Sequence, residues 1–190
     1  MSHLAPVRFA PWVLAVSAAF APQAQAATQA VQFNVLNASA TLPAAFLAGD
    51  VLQLDTLVLG QTGALQQTIN FTLGANVSGL GGQAVWEIDT ATGVGPRLIG
   101  VNIDIFNNST NALVTSDAFA GTLGGFAVST FSSTIGPGTY RMVVTGTGVR
   151  DSVLDATLTF ASVVPEPGTY GLMLMGAGVV GLLTHRRRRA

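Results

Sequence analysis

Between residues 27 and 163 the sequence consists of short runs in which apolar and polar residues alternate. In 51–59 and 153–160, for example, every second side chain over most of the run is apolar. A period of two predicts strands with one buried and one exposed face. Segments rich in Gly, Asn, Ser and Pro separate the runs, and no window between the two chain ends has a convincing helical period. We therefore predict an all-β domain, an antiparallel β-sandwich similar to a jelly roll.

The alternation places eight strands and three turns. The predicted strands span 31–36, 51–59, 68–73, 84–88, 98–106, 125–131, 140–145 and 153–160, and the predicted turns span 79–82, 93–96 and 136–138. About 135 residues suffice for one hydrophobic core. We expect this core to include Phe33, Phe71, Trp86, Phe106, Phe126, Phe131 and Phe160.

Charge and missing residue types limit the chemistry of this domain. The 190-residue chain has no Cys and no Lys, and its two histidines, His3 and His185, lie outside the predicted domain. Ser-His-Asp, Cys-His and histidine-zinc sites are therefore excluded there, and we predict no catalytic residue, no metal site and no cofactor. Residues 27–164 contain eight acids and three arginines, a net charge of 3 − 8 = −5, which disfavours nucleic acid as a partner. The acids are Asp50, Asp55, Glu87, Asp89, Asp104, Asp117, Asp151 and Asp155.

The N-terminal 26 residues have the pattern of a secretory signal peptide. Arg8 precedes an apolar run at 9–20, and Ala24-Gln25-Ala26 forms a small-x-small cleavage site. A dozen apolar residues are too few to span a bilayer comfortably. We predict cleavage by signal peptidase after export through the general secretion machinery, so that the mature chain begins at Ala27.

The C-terminal residues 164–190 have the pattern of a membrane anchor with a cytoplasmic stop. Residues 169–184 would form a helix of about 24 Å, against a hydrocarbon core of about 30 Å. The cluster Arg186, Arg187, Arg188 and Arg189 follows directly and predicts a cytoplasmic C-terminus. A signal peptide gives the same topology, with residues 27–163 outside. The alternative is a buried C-terminal helix with a solvated basic tail.

The order of features in this tail resembles a known sorting signal. Val164-Pro165-Glu166-Pro167-Gly168-Thr169-Tyr170, a Gly-rich apolar stretch and a terminal Arg cluster resemble the PEP-CTERM signal of Gram-negative bacteria. The resemblance implies recognition of Pro165, Glu166 and Pro167 by an exosortase, a membrane transpeptidase that processes the tail. It also implies transient anchoring in the inner membrane, release to the cell surface or matrix, and a role in an exopolysaccharide biofilm.

A second phrase resembles part of the same family. Residues 135–144, Ile-Gly-Pro-Gly-Thr-Tyr-Arg-Met-Val-Val, are similar to a strand common in bacterial surface sandwich domains and in the FxDxF group of PEP-CTERM proteins. The Phe-x-Asp-x-Phe motif itself is missing, and Gln67–Phe71 keeps only its last Phe. A Gly turn followed by an amphipathic strand explains the phrase equally well.

Two other functions stay open for the domain. It is a carbohydrate- or calcium-binding module if loop carboxylates hold a cation or if Trp86 or Tyr140 stacks on a sugar. It is a glycosidase if two carboxylates converge in a cleft about 5 to 10 Å apart. The candidate acid pairs are Asp50 with Asp55, Asp151 with Asp155, and Glu87 with Asp89.

Overall fold

The computed structural model describes residues 26–88 and 97–162, which form eleven strands in two sheets and no helix. The six-stranded sheet has the order β1-β3-β11-β5-β9-β8, and the five-stranded sheet has the order β2-β4-β10-β6-β7. The strands are β1 (Thr28–Phe33), β2 (Asn37–Thr41), β3 (Val51–Val58), β4 (Gly63–Leu73), β5 (Gly79–Glu87), β6 (Leu98–Asn107), β7 (Leu113–Ser116), β8 (Ala118–Leu123), β9 (Phe126–Thr134), β10 (Gly138–Gly148) and β11 (Ser152–Ala161).

The alternation read from the sequence determines which face of each strand is buried. In β3 every second residue from Leu52 to Val58 is buried, whereas Gln53, Asp55 and Leu57 between them are exposed. Strand β11 has the same alternation from Ser152 to Phe160. Each sheet thus presents one apolar face, and burying both requires the sheets to stack. The predicted all-β sandwich is confirmed for the described residues.

Five of the seven predicted core aromatics are buried: Phe33, Phe71, Trp86, Phe131 and Phe160. The prediction is wrong for Phe126, which is 40 % exposed because it lies on the outer face of the six-stranded sheet, opposite Leu123. It is also wrong for Phe106, which is half-buried on the outside of the other sheet, beneath the guanidinium of Arg141 at 4.6 Å.

The sheets are not purely antiparallel, which corrects the prediction. Strand β1 pairs in parallel with β3, and β2 pairs in parallel with β4. The chain runs up the edge of one sheet as β1, turns at 34–36, and runs down the same edge of the other sheet as β2. These two short strands therefore close one side of the sandwich. The remaining pairs are antiparallel, as predicted.

The opposite side of the sandwich is closed by another strand that changes sheet. Strand β7 lies at the edge of the five-stranded sheet, and β8 continues from it at the edge of the six-stranded sheet. Asp117 lies between them and fixes the crossing, since its backbone N–H donates to Ile103 O and its carboxylate accepts from Ile103 N. Neither β7 nor β8 was among the predicted strands, nor was β2.

Two of the three predicted turns fall on described residues. The predicted turn at 136–138 overlaps the connection between β9 and β10, which spans 135–137, and its last residue, Gly138, begins β10. Residues 79–82, however, belong to strand β5, where Gly82 packs against the backbone of β11. The third turn, 93–96, lies outside the described residues.

Aromatic rings fill the part of the core at the end of the sandwich where β1 begins and β11 ends. Phe46, from the loop between β2 and β3, is fully buried there, with its ring centroid 4.8 Å from that of Phe160 and 6.2 Å from that of Phe71. The ring of Tyr140 stacks on Phe71, and its hydroxyl donates to Gly136 O at 2.9 Å. The buried apolar residues of the described part all lie between Val31 and Phe160, so the described residues form a hydrophobic core of their own.

Candidate functional site

The described chain enters and leaves at one end of the sandwich. Thr28 of β1 pairs with Val51, and Val51 pairs on its other side with Thr159 of β11. The first and last strands therefore flank β3, about 10 Å apart. Residues 163–190 continue the chain from this end of the domain, which we call the attachment end. The opposite end carries the turns 34–36, 59–62 and 149–151.

The predicted signal-peptide junction lies at the attachment end. Ala26 and Ala27 are exposed and directly precede β1. Cleavage between them stays a prediction, and Ala24 lies outside the described residues. The sorting residues Pro165, Glu166 and Pro167, the apolar segment and Arg186–Arg189 also lie outside the described residues. In residues 26–88 and 97–162, we find no helix long and apolar enough to cross a membrane.

The strands bring together two acids that were not expected to pair. Asp55 of β3 and Asp155 of β11 are directly opposite each other on the outer face of the six-stranded sheet. Partial burial of Asp155, a side-chain hydrogen bond to Asp55 and the charge of Asp55 together raise the pKa of Asp155 to about 6 from its ordinary 3.8. At neutral pH the two carboxylates therefore repel each other, which lowers the stability of the folded domain.

The two predicted acid pairs that fall on described residues, Asp50 with Asp55 and Asp151 with Asp155, are not formed. Asp50 is buried at the attachment end, where its carboxylate accepts from two backbone N–H groups, while Asp55 lies on the outer sheet face. Asp151 accepts from Gly60 N at 2.7 Å in a turn at the other end of the sandwich from Asp50. Glu87 forms an ion pair with Arg97 at 3.2 Å, and its predicted partner Asp89 lies outside the described residues. Turn-capping thus occupies the carboxylates of Asp50 and Asp151, and ion pairing occupies that of Glu87.

The Asp55–Asp155 pair has the wrong geometry for a glycosidase. Carboxyl groups in hydrogen-bond contact are closer than the separation of about 5 Å or more that a sugar ring or water requires between them. Both residues are also exposed on a sheet face rather than set in a cleft. A depression of about 360 Å³ lies on the same sheet, lined by Gly82, Gln83, Thr157 and Thr159. It offers amide and hydroxyl groups but no carboxylate.

The described residues do not supply the other predicted binding groups either. Trp86 and Tyr140 are 5 % and 4 % exposed, so neither presents a face to a sugar. Among the described residues no three His, Cys, Asp or Glu side chains come together as a metal-binding group. Asp104 lies on the outside of the five-stranded sheet, where it accepts hydrogen bonds from Asn102 and Ser116. These are polar contacts on the surface of the domain.

Sequence reasoning missed the placement of two groups of acidic side chains. The Asp55–Asp155 contact joins residues 100 positions apart (155 − 55), and alternation predicts only that both point outward. The role of Asp50 was missed because its partners are backbone atoms of Ala27 and Leu47. A signal did exist for Asp50, since an Asp just after Gly and before a strand is typical of a side chain that caps a turn.

Comparison with known proteins identifies the tail. The profile of the PEP-CTERM protein-sorting motif matches residues 163–189. This confirms the resemblance read from the sequence. No curated protein matches the chain. Among solved structures, the pre-peptidase C-terminal domain of collagenase from Bacillus anthracis is similar at 12 % identity, with 72 % of this chain and 99 % of that domain covered and a TM-score of 0.37. A score this low supports no conclusion about function.

Proposed function

From the PEP-CTERM protein-sorting motif at residues 163–189, we propose that this chain is a non-enzymatic protein of the cell surface or of an exopolysaccharide biofilm matrix. The motif implies export and processing by an exosortase. In this proposal signal peptidase removes residues 1–26, and the apolar segment holds the chain in the inner membrane with Arg186–Arg189 in the cytoplasm. The exosortase then recognises Pro165, Glu166 and Pro167 and releases the domain to the outside.

The single observation that carries the proposal is the position of the motif relative to the fold. Strand β11 ends at Ala161, and the matched residues begin at 163. An enzyme that cuts near Pro165 would therefore meet a peptide directly after the last strand. Two prolines there favour extended backbone, which suits binding in a protease cleft. Cleavage leaves the sandwich intact, since its core ends at Phe160.

The outer faces of the sandwich support a structural rather than a catalytic role. The five-stranded sheet presents mainly uncharged polar side chains, among them Ser39, Thr41, Gln66, Thr68, Asn102 and Thr145. Hydroxyl and amide groups exchange hydrogen bonds with a hydrated polysaccharide without ionic attraction. Residues 27–163 contain no His, Cys or Lys to act as nucleophile or general base near neutral pH.

Intact-mass spectrometry of the protein from its native cells tests the sorting proposal. We expect a mature form that starts at Ala27, ends near Pro165-Glu166-Pro167 and lacks the four arginines. The matched variants are Glu166→Ala, which removes the only charge of the Pro165-Glu166-Pro167 tripeptide, and Thr184→Ala, which changes the tail outside this tripeptide. The first should retain the arginines and stay with the membrane fraction, while the second should be processed like the parent chain. An arginine tail intact on the mature parent protein would refute the proposal.

A further inference from the structure

The backbone nitrogen of Ala27 is held by a buried carboxylate. Ala27 N donates to Asp50 Oδ1 at 2.7 Å, and Leu47 N donates to Asp50 Oδ2 at 2.7 Å. Asp50 is only 6 % exposed, whereas Ala27 is exposed. The carbonyl of Ala27 in turn accepts from Val51 N at 2.9 Å. Residue 27 is therefore fixed on both sides, and its nitrogen points at a negative charge.

Asp50 also joins this nitrogen to the strand that leads to the sorting motif. Its own N–H donates to Leu47 O, and its carbonyl accepts from Phe160 N of β11. The adjacent Gly49 N donates to Phe160 O at 2.7 Å. One residue thus connects the start of β1, the loop before β3 and the end of β11, which are the three chain segments at the attachment end.

We propose that removal of the signal peptide between Ala26 and Ala27 converts this hydrogen bond into an ion pair that locks the attachment end. The inference rests on the predicted cleavage site. Hydrolysis places the hydroxyl of water on the Ala26 carbonyl carbon and a proton on the Ala27 nitrogen. At neutral pH the new carboxyl releases a proton and the new amine takes one up. A neutral amide N–H facing Asp50 thereby becomes an α-ammonium.

Geometry and solvation both favour this ion pair. An ammonium donor to a carboxylate makes a stronger hydrogen bond than a peptide N–H does. Because Ala27 is exposed, the other ammonium protons remain hydrated, so little desolvation opposes the gain. Among the described residues packed there, the nearest other titratable groups on β3 and β11 are Asp55 and Asp155, each four residues along its strand and so about 13 Å away.

The absence of lysine makes a clean test available. Residues 27–162 are prepared with Ala27 as the first residue, and half of the sample is Nα-acetylated, a reaction that no lysine side chain shares. Acetylation restores an amide N–H at Ala27 and removes the charge. We expect the free form to melt about 3–6 °C higher than the acetylated form at pH 7. In Asp50→Asn the two forms should melt together.

A pH series keeps the test decisive even if Asp50→Asn does not fold. We expect the carboxylate to raise the pKa of the α-ammonium above its ordinary value of about 8. The extra stability is therefore full below pH 8 and is lost as the pH rises through the raised value, so the two forms should converge by about pH 10. Equal melting temperatures at pH 7, or a difference that persists at pH 10 or in Asp50→Asn, would overturn the proposal.

N-terminal sequencing of the exported protein completes the test. A native terminus at Ala27 supports the ion pair in cells, and any other terminus overturns it. These results are independent of exosortase processing, which is read at the opposite end of the chain. A chain that begins at Ala27 and keeps its arginines would leave the ion pair standing and refute only the sorting proposal.

Discussion

At the scale of single residues, the Asp55–Asp155 pair should make the domain less stable as the pH rises. The folded-state pKa of Asp155 is raised to about 6 from 3.8, so the folded state holds its proton more tightly than the unfolded state. The resulting stability is complete below about pH 4 and is lost as the pH rises through about 6. We expect Asp155→Asn to raise the free energy of unfolding at pH 7 by about 1 kcal/mol, a value reduced because the pair is solvent-exposed.

Urea unfolding at pH 4 and pH 7 measures this effect. Asp55→Asn is the matched variant, because it removes the same repulsion from the other strand. Each single change should flatten the pH dependence between 4 and 6, and the double change should add little, since the two residues share one interaction. An unaltered pH dependence in Asp155→Asn would show that the carboxyl groups do not interact in the folded domain.

At the scale of strands, the contact between β5 and β11 depends on one glycine. A Cβ at Gly82 would lie 2.2 Å from Thr157 O and 3.1 Å from the Cα of Leu158. Backbone cannot move aside as a side chain tip does, so Gly82→Ala must separate the two central strands of the six-stranded sheet. We expect a loss of about 3 kcal/mol in the free energy of unfolding, typical of severe overpacking, measured by urea denaturation.

The neighbouring glycine is the matched control for that change. A Cβ at Gly81 meets no atom within 4 Å, and its backbone conformation is one that L-residues adopt. Gly81→Ala should therefore leave stability unchanged or raise it by about 0.5 kcal/mol, because it lowers the entropy of the unfolded chain. Equal losses at the two positions would mean that strand propensity, rather than the contact with β11, sets the cost.

The strand scale also shows what the sequence could predict. Long alternating runs such as β3 and β11 were placed within one or two residues, because burial of one sheet face imposes a period of two. Strands β2, β7 and β8 were missed, since they are short edge strands with no fully buried side chain. Gly79–Gly82 was read as a turn because glycine usually marks turns, whereas here it allows two strand backbones to approach.

At the scale of the whole molecule, strand pairing over long sequence separations was beyond prediction. Parallel pairing of β1 with β3 follows from where the chain crosses between the sheets at 34–36 and 42–50, and alternation does not specify a crossing. For the same reason, the sequence did not predict the Asp55–Asp155 contact or the hydrogen bond from Ala27 N to Asp50. The sorting tail was predictable, because an enzyme reads it as a linear peptide and its information is local.

The arrangement of the described strands predicts that the domain of residues 27–162 tolerates circular permutation. The ends of the sandwich lie beside each other on either side of β3, so a linker of about six Gly and Ser residues can join Ser162 to Ala27. New ends between Ser109 and Thr110 fall in the exposed turn from β6 to β7. We expect this permutant to unfold in one cooperative thermal transition, at the melting temperature of the Nα-acetylated chain, since both lack the Ala27 ammonium.

A second permutant supplies the contrast, with the same linker and new ends between Val143 and Val144. This cut divides β10, which pairs with β4 on one side and β6 on the other and buries Met142 and Val144. It exposes core residues and breaks two ladders, so we expect no cooperative transition by circular dichroism. If both permutants unfold cooperatively, β10 does not hold the second sheet together. If neither permutant unfolds cooperatively, Ala27 and Ser162 do not lie close together at the attachment end. The ion pair at Asp50 then loses its structural basis.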